Sequence, residues 1–180
     1  MAKSKASQTA ETAAGVRLTG LAPICDARIR LLILGSFPSP ASLRAQQYYG
    51  HRQNHFWKLV GAILGEPLFE LPYPERTVRV LERGVGIWDV YQACIRPGAL
   101  DADIRAGEPN DLAGLVARAP GLRRVCFNGQ TAGRFAPQLE RLGLETRVLP
   151  SSSPACTLPF ARKLEQWRAG MEPVLSMSVL

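Results

Sequence analysis

Apolar positions in this chain form short unbroken runs that alternate with stretches at helical spacing. Leu31, Leu32, Ile33 and Leu34, within 28–34, make an unbroken apolar run of the kind found in strands buried on both faces. Phe56, Leu59, Val60 and Ile63 then recur on one helical face across 54–64, and Gly65 with Pro67 supplies the stop. A second helix is predicted over 74–83, followed by a short strand over 85–90, VGIWDV, with Asp89 near its carboxyl end. Residues 91–109 show no clear period and read as a long loop at the edge of a site. Asn110 can cap a helix that places Leu112, Leu115 and Val116 on one face.

A strand at 122–127 breaks at Asn128 and Gly129 into a helix with Ala132, Phe135, Leu139 and Leu142 aligned. The last strand, 144–149, runs into Pro150 and a serine triplet, and Phe160, Leu164 and Trp167 mark a closing helix. Strands alternating with helices predict the α/β class, as a three-layer α/β/α sandwich around a central four-stranded, mainly parallel sheet. No internal repeat is visible.

At 180 residues the chain is expected to form one domain, over 18–170. Residues 1–17 are small and polar and are expected to be a loose tail; 171–180 is an apolar ending without an assigned role. Lysine and arginine total 22 against 15 acidic residues, a net charge of +7. Only +2 of this lies in 1–17, so the body itself is basic and suits a polyanionic partner. No secretory signal is present and no apolar run reaches the ~18 residues of a membrane span, so a soluble, cytoplasmic monomer is expected, at the nucleoid when acting. Cys25, Cys94, Cys126 and Cys156 are scattered without a Cys-x-x-Cys pair, which argues against zinc and iron–sulfur clusters. They are expected to be four buried, reduced thiols, and no metal or cofactor is expected.

The most informative stretch is GSFPSPASLRAQQYYGHRQNHFW, 35–57. Its loop leaves the carboxyl end of a central strand, where open α/β sheets bind ligands. The backbone N–H groups of Gly35, Ser36 and Phe37 are natural donors there, Pro38 stiffens the turn, and Phe37 offers an apolar wall. His51 and His55 are four residues apart, but no carboxylate or cysteine joins them as a metal set, so one or both are expected to touch phosphate or the leaving base. Asn54 has two readings: a helix cap, or an amide that positions water, since it has no useful proton affinity.

GSFPSPAS followed by YYGHRQNHFWKLV resembles the first motif of the uracil-DNA glycosylase superfamily. Its mismatch-directed branch carries a Gly-x-Asn-Pro-Gly loop and, further on, an Asn ahead of a Phe-Trp pair, an interval that Gly35 to Asn54 keeps. LPSSSPA, 149–155, is similar to the second motif, a loop that grips the DNA backbone, and the similarity covers roughly 18–169. Phe37 stands where the mismatch branch has its first Asn, and Gly-Ser-Phe-Pro-Ser instead resembles the hypoxanthine-DNA (deoxyinosine) glycosylase family.

That resemblance implies a monofunctional glycosylase that flips a deaminated base, hypoxanthine or uracil, out of DNA and hydrolyses its glycosidic bond. It implies Asn54 as the catalytic residue and Tyr49 as the ring that stacks the base, with Tyr48 and Tyr49 also able simply to pack the loop. Gly35, Ser36, Phe37, His51 and Asp89 complete the base site. A carboxylate at Asp89 would accept the N1–H of hypoxanthine and repel adenine, unless it only caps the following turn. Ser151, Ser152, Ser153 and Arg162 are implied as the DNA-backbone contacts. Ala155 stands where relatives have a wedge and is too small, leaving Leu158 or Arg162 for that task. The alternatives are a uracil or thymine mismatch glycosylase, and a nucleic-acid-binding module without turnover.

Overall fold

The computed structural model describes residues 15–176. Four parallel strands form its centre: β2 (Leu31–Gly35), β3 (Val85–Asp89), β6 (Arg124–Asn128) and β7 (Glu145–Leu149), in the order β3-β2-β6-β7. Every residue of β2, β3 and β6 is buried, as expected for a parallel sheet covered on both faces, whereas β7 is an edge strand and mostly exposed. The register pairs Gly35 with Asp89 and Leu34 with Phe127, so the carboxyl ends of β3, β2 and β6 finish together. That shared edge is the floor of the site.

The flanking helices are α1 (Pro40–Ala45), α2 (Phe56–Leu64), α3 (Tyr73–Glu82), α4 (Leu112–Arg118), α5 (Gln130–Gly133), α6 (Ala136–Glu140) and α7 (Phe160–Leu175). The α2 helix ends at Gly65, whose φ of +68° forms a left-handed cap. The short α1 went unpredicted although its signal was present: Ser39 accepts from Ser42 N at 3.1 Å, with Pro40 in the first turn.

Residues 91–109 are not one long loop. They contain β4 (Tyr91–Ile95) and β5 (Arg105–Pro109), which join β1 (Arg17–Thr19) in a three-stranded antiparallel sheet of order β1-β4-β5. Two register shifts between β4 and β5, and a positive φ at Ala106, blur the alternation that would have announced them. Arg17, assigned to the tail from sequence, lies in β1, preceded by the exposed Gly15 and Val16, and residues 1–14 of that tail fall outside the described residues. At the other end α7 continues past 170, burying Met171 and Val174.

Three smaller expectations also change. The cap of α4 is Asp111, which accepts from Gly114 N at 2.9 Å, while Asn110 Nδ2 donates to the Asp89 carbonyl at 2.8 Å. The single helix expected after Gly129 is two, α5 and α6, because Pro137 has no N–H to continue the ladder; Leu142 lies beyond them and is exposed. Only Cys94 and Cys126 are buried; Cys25, ahead of β2, and Cys156, in the turn after the serines, are partly exposed.

Three indoles pin the loops around the sheet edge. Trp57 Nε1 donates to Tyr48 O (3.0 Å), Trp88 Nε1 to Leu21 O (3.2 Å) and Trp167 Nε1 to Pro150 O (2.9 Å). Each ring is buried, so its N–H needs a partner, and in each case the partner is a loop carbonyl.

Candidate active site

The carboxyl ends of β2, β3 and β6 open onto a pocket whose walls come from six segments distant in sequence, Asn128 at the end of β6 among them. The loop after β2 supplies Gly35, Ser36 and Phe37, and β3 supplies Asp89. The α1–α2 connection supplies Tyr49 and Asn54, and the loop after β7 supplies Ser151 to Ser153. The β4–β5 connection adds Arg96, Ala99 and Asp101.

Gly35 is required by close approach. A Cβ there would collide with Asp89 Oδ1 and lie 2.9 Å from the Tyr49 hydroxyl, so only glycine lets the two side chains converge over the strand end. Asp89 is buried, and its Oδ2 has no hydrogen-bond partner among the described residues. Burial first, then the Asp101 charge, pushes its carboxyl up to about 8, with Arg96 pulling the other way. Asp89 is therefore largely a neutral acid at pH 7. This revises the expected charge repulsion of adenine, which needs the ionised form. Asp89 is also not spent capping the next turn, since its side chain is aimed at the pocket.

Tyr49 is held at φ +54°, an uncommon conformation for a bulky residue that turns its ring inward. One ring face stacks on Phe56, with centroids 3.7 Å apart and planes at 12°. Its hydroxyl is buried without a well-formed hydrogen bond, and burial and Asp89 raise it well above the ordinary tyrosine value. Tyr48, by contrast, packs: its hydroxyl donates toward the carbonyls of Leu21 and Ala22, both at 3.1 Å, and its ring is in the core.

The helix predicted from 54 begins at Phe56, with His55 at the cap position and no side-chain cap bond, while Asn54, one residue earlier, accepts from Phe56 N through Oδ1 at 2.9 Å in a local turn that leads into α2. An amide oxygen has a second lone pair and the amide two N–H donors, so this bond leaves capacity on the pocket side. Phe37 is a buried wall, with the Arg96 guanidinium 5.3 Å from its ring centre. Arg96 also donates to Pro38 O at 2.6 Å, which fixes the loop after β2.

The serine triplet divides. Ser152 is fully buried; its N–H donates to Asn128 Oδ1 and its hydroxyl accepts from Asn128 Nδ2, both at 2.8 Å. Its carbonyl accepts from His55 N at 3.0 Å. Ser152 is thus a clasp between β6, α2 and the serine loop, and cannot reach a DNA phosphate. Ser151 and Ser153 remain partly exposed at the pocket. Beneath them Lys163, fully buried, donates from Nζ to Ser153 O at 3.2 Å.

Two expected residues are not brought to the pocket. His51 is exposed, its Nδ1 accepting from Gln53 N at 3.3 Å, because the turn that drives Tyr49 inward carries His51 away. Arg162 is exposed on α7 and pairs with Glu165 at 2.7 Å, outside the pocket but on the serine-loop side of the chain. Sequence reasoning missed Arg96, Asp101, Asn128 and Lys163. Asn128, at the end of an apolar strand before a glycine, had a readable signal; Asp101, in an aperiodic stretch, had none. Among the described residues no group of three His, Cys, Asp or Glu side chains could hold a metal, and no helix is long and apolar enough to cross a membrane.

The family model for the uracil DNA glycosylase superfamily matches residues 22–169, which takes in all four central strands and every wall of the pocket. The chain belongs to that superfamily. It is 42% identical over 150 residues to a protein of Methanosarcina acetivorans named hypoxanthine DNA glycosylase, covering 83% of this chain and 95% of that one. It is also 42% identical over 148 residues to a protein of the same name from Methanosarcina barkeri, covering 82% and 94%. A solution NMR structure of a provisionally assigned uracil DNA glycosylase from M. acetivorans superposes with a TM-score of 0.82 at 40% identity, covering 90% of this chain and all of that one. Within this superfamily the fold is shared as well as the sequence, so the β2–β3–β6 edge described above is the place to seek the DNA glycosylase chemistry.

Proposed function

We propose that this protein is a monofunctional DNA glycosylase that removes hypoxanthine, and secondarily uracil, from DNA and leaves an abasic site. The observation that supports this most is Asp89: a buried carboxyl with an unpartnered oxygen at the bottom of a pocket walled by Tyr49 and Phe37. A deaminated base presents an N–H beside a C=O, and a carboxyl group meets both, accepting from one and, when protonated, donating to the other. The relatives named for hypoxanthine release support the choice of base.

In this reading the flipped base enters between Phe37 and the free face of Tyr49, an aromatic contact worth about 1 to 3 kcal/mol. The N–H groups of the Gly35–Phe37 turn face the charge that develops on the leaving base. Asn54 holds the attacking water at the sugar. Ser151, Ser153 and Arg162 take the flanking phosphates, with Lys163 adding positive charge from below. The basic surface supplies the rest of the attraction to DNA. No cofactor is required, and the protein acts as a cytoplasmic monomer that associates with the nucleoid when working.

Competition among duplexes carrying single deoxyinosine, deoxyuridine, deoxyxanthosine or a G·T mismatch tests the substrate order. Base release is expected fastest from deoxyinosine, slower from deoxyuridine and undetectable from G·T. Faster release from G·T or deoxyuridine than from deoxyinosine would favour the mismatch-glycosylase reading.

A further inference from the structure

We propose that Asp101 is a catalytic residue of the pocket, the carboxylate that takes the proton of the attacking water and faces the cationic sugar. This rests on the glycosylase reading and deepens it. Hydrolysis breaks the C1′–N bond with its electron pair leaving on the base, and forms C1′–O from water. Water then has a proton to lose, and the base gains one from solvent. Asn54 can position that water but cannot accept the proton, because an amide has no useful basicity.

The pocket contains few other acceptors. Asp89 lies beneath Gly35 at its floor, placed for the base edge, and is held protonated there at neutral pH. Tyr48 and Tyr49 are hydroxyls held protonated by burial. Arg96 is a cation, and neither His51 nor His55 lines the pocket. Asp101 does line it, from the 3-10 turn Asp101–Asp103 between β4 and β5. Ser36, in the turn after β2, donates from Oγ to Asp101 Oδ1 at 2.6 Å, which fixes the carboxylate over the strand ends and leaves Oδ2 available. Its charge is felt across the site: it raises Asp89, Tyr49 and the Cys94 thiol. The charged and titratable groups that face it are Asp89 of β3, Arg96 and Cys94 of the β4 side, and Tyr49 of the α1–α2 connection, while the Asp103 carboxylate of the same turn lies against Gly98.

Single-turnover release of hypoxanthine from deoxyinosine duplex, followed from acid to alkaline pH, tests this with Asp101→Asn, Asp101→Glu and Asp103→Asn, each compared with wild type for melting temperature. Asp101→Asn is expected to be slower by about a hundredfold, the lower end of general-base contributions, and to lose the acid limb of the pH profile. Asp101→Glu is expected to recover part of the rate, with an acid limb displaced from that of wild type, and Asp103→Asn to behave as wild type. Wild-type rate with an intact acid limb in Asp101→Asn would overturn the assignment, as would an equal loss in Asp103→Asn, which would mark a general disturbance of the turn. If Asp101→Asn does not fold, Asp101→Glu decides alone: an unchanged limb overturns the assignment and a displaced one supports it. A wild-type protein that releases no base refutes the glycosylase reading itself, a result distinct from either outcome for Asp101.

Discussion

Asn54→Ala is expected to slow release of hypoxanthine by at least about a hundredfold, the loss typical when one positioned hydrogen-bonding group is removed from a reacting centre. Phe37 leaves the loop after β2 without a side chain that can hold water, and Asn54 is the amide that the α1–α2 connection brings to the pocket. The same residue accepts from Phe56 N in the turn that leads into α2, so Asn54→Ala should also destabilise the fold, by about 1 kcal/mol. Asn54→Asp separates the two roles. It keeps an oxygen for Phe56 N–H and should melt like wild type, yet it replaces the amide N–H donors by a charge and should change turnover. If Asn54→Ala melts lower but turns over normally, Asn54 holds the turn into α2 and nothing more.

Asp89→Asn is expected to alter stability by an amount that grows with pH. The Asp89 carboxyl, ordinarily near 3.8, is pushed up to about 8 in the fold. Between those values the native state binds more protons than the unfolded chain, so wild-type stability falls as pH rises from about 4 to about 8 and levels off above. At about 1.4 kcal/mol per pH unit the interval amounts to roughly 6 kcal/mol at most. An asparagine does not titrate, so the variant gains on wild type across that window and the gap stays constant beyond it. Denaturant unfolding at a series of pH values measures the gap directly. A gap independent of pH would mean that Asp89 ionises normally, and would remove the neutral acid from the account of base recognition.

Strands β2, β3 and β6 were legible because a parallel sheet buried on both faces writes itself as apolar runs, and Leu31–Leu34 is such a run. The convergence of Gly35, Phe37, Tyr49, Asn54 and Asp89 was legible through motif spacing and strand ends. What stayed hidden had weaker patterns. The antiparallel sheet rests on β5, a polar strand with an irregular register, and Asp101 reaches the pocket only because β4 and β5 pair. Ser152 looked like its neighbours in sequence, and only the pairing with Asn128 across β6 shows that it faces inward. His51 failed for the opposite reason: it sits in a short irregular turn, which carries no periodicity from which a direction could be read.

The most direct measurement is the product of reaction with a duplex that contains one deoxyinosine. The account expects free hypoxanthine, identified by mass, together with an unbroken strand that alkali then cleaves at the abasic site. Tight binding of an abasic-site duplex with no free base released, or a strand nicked before alkali, would contradict it.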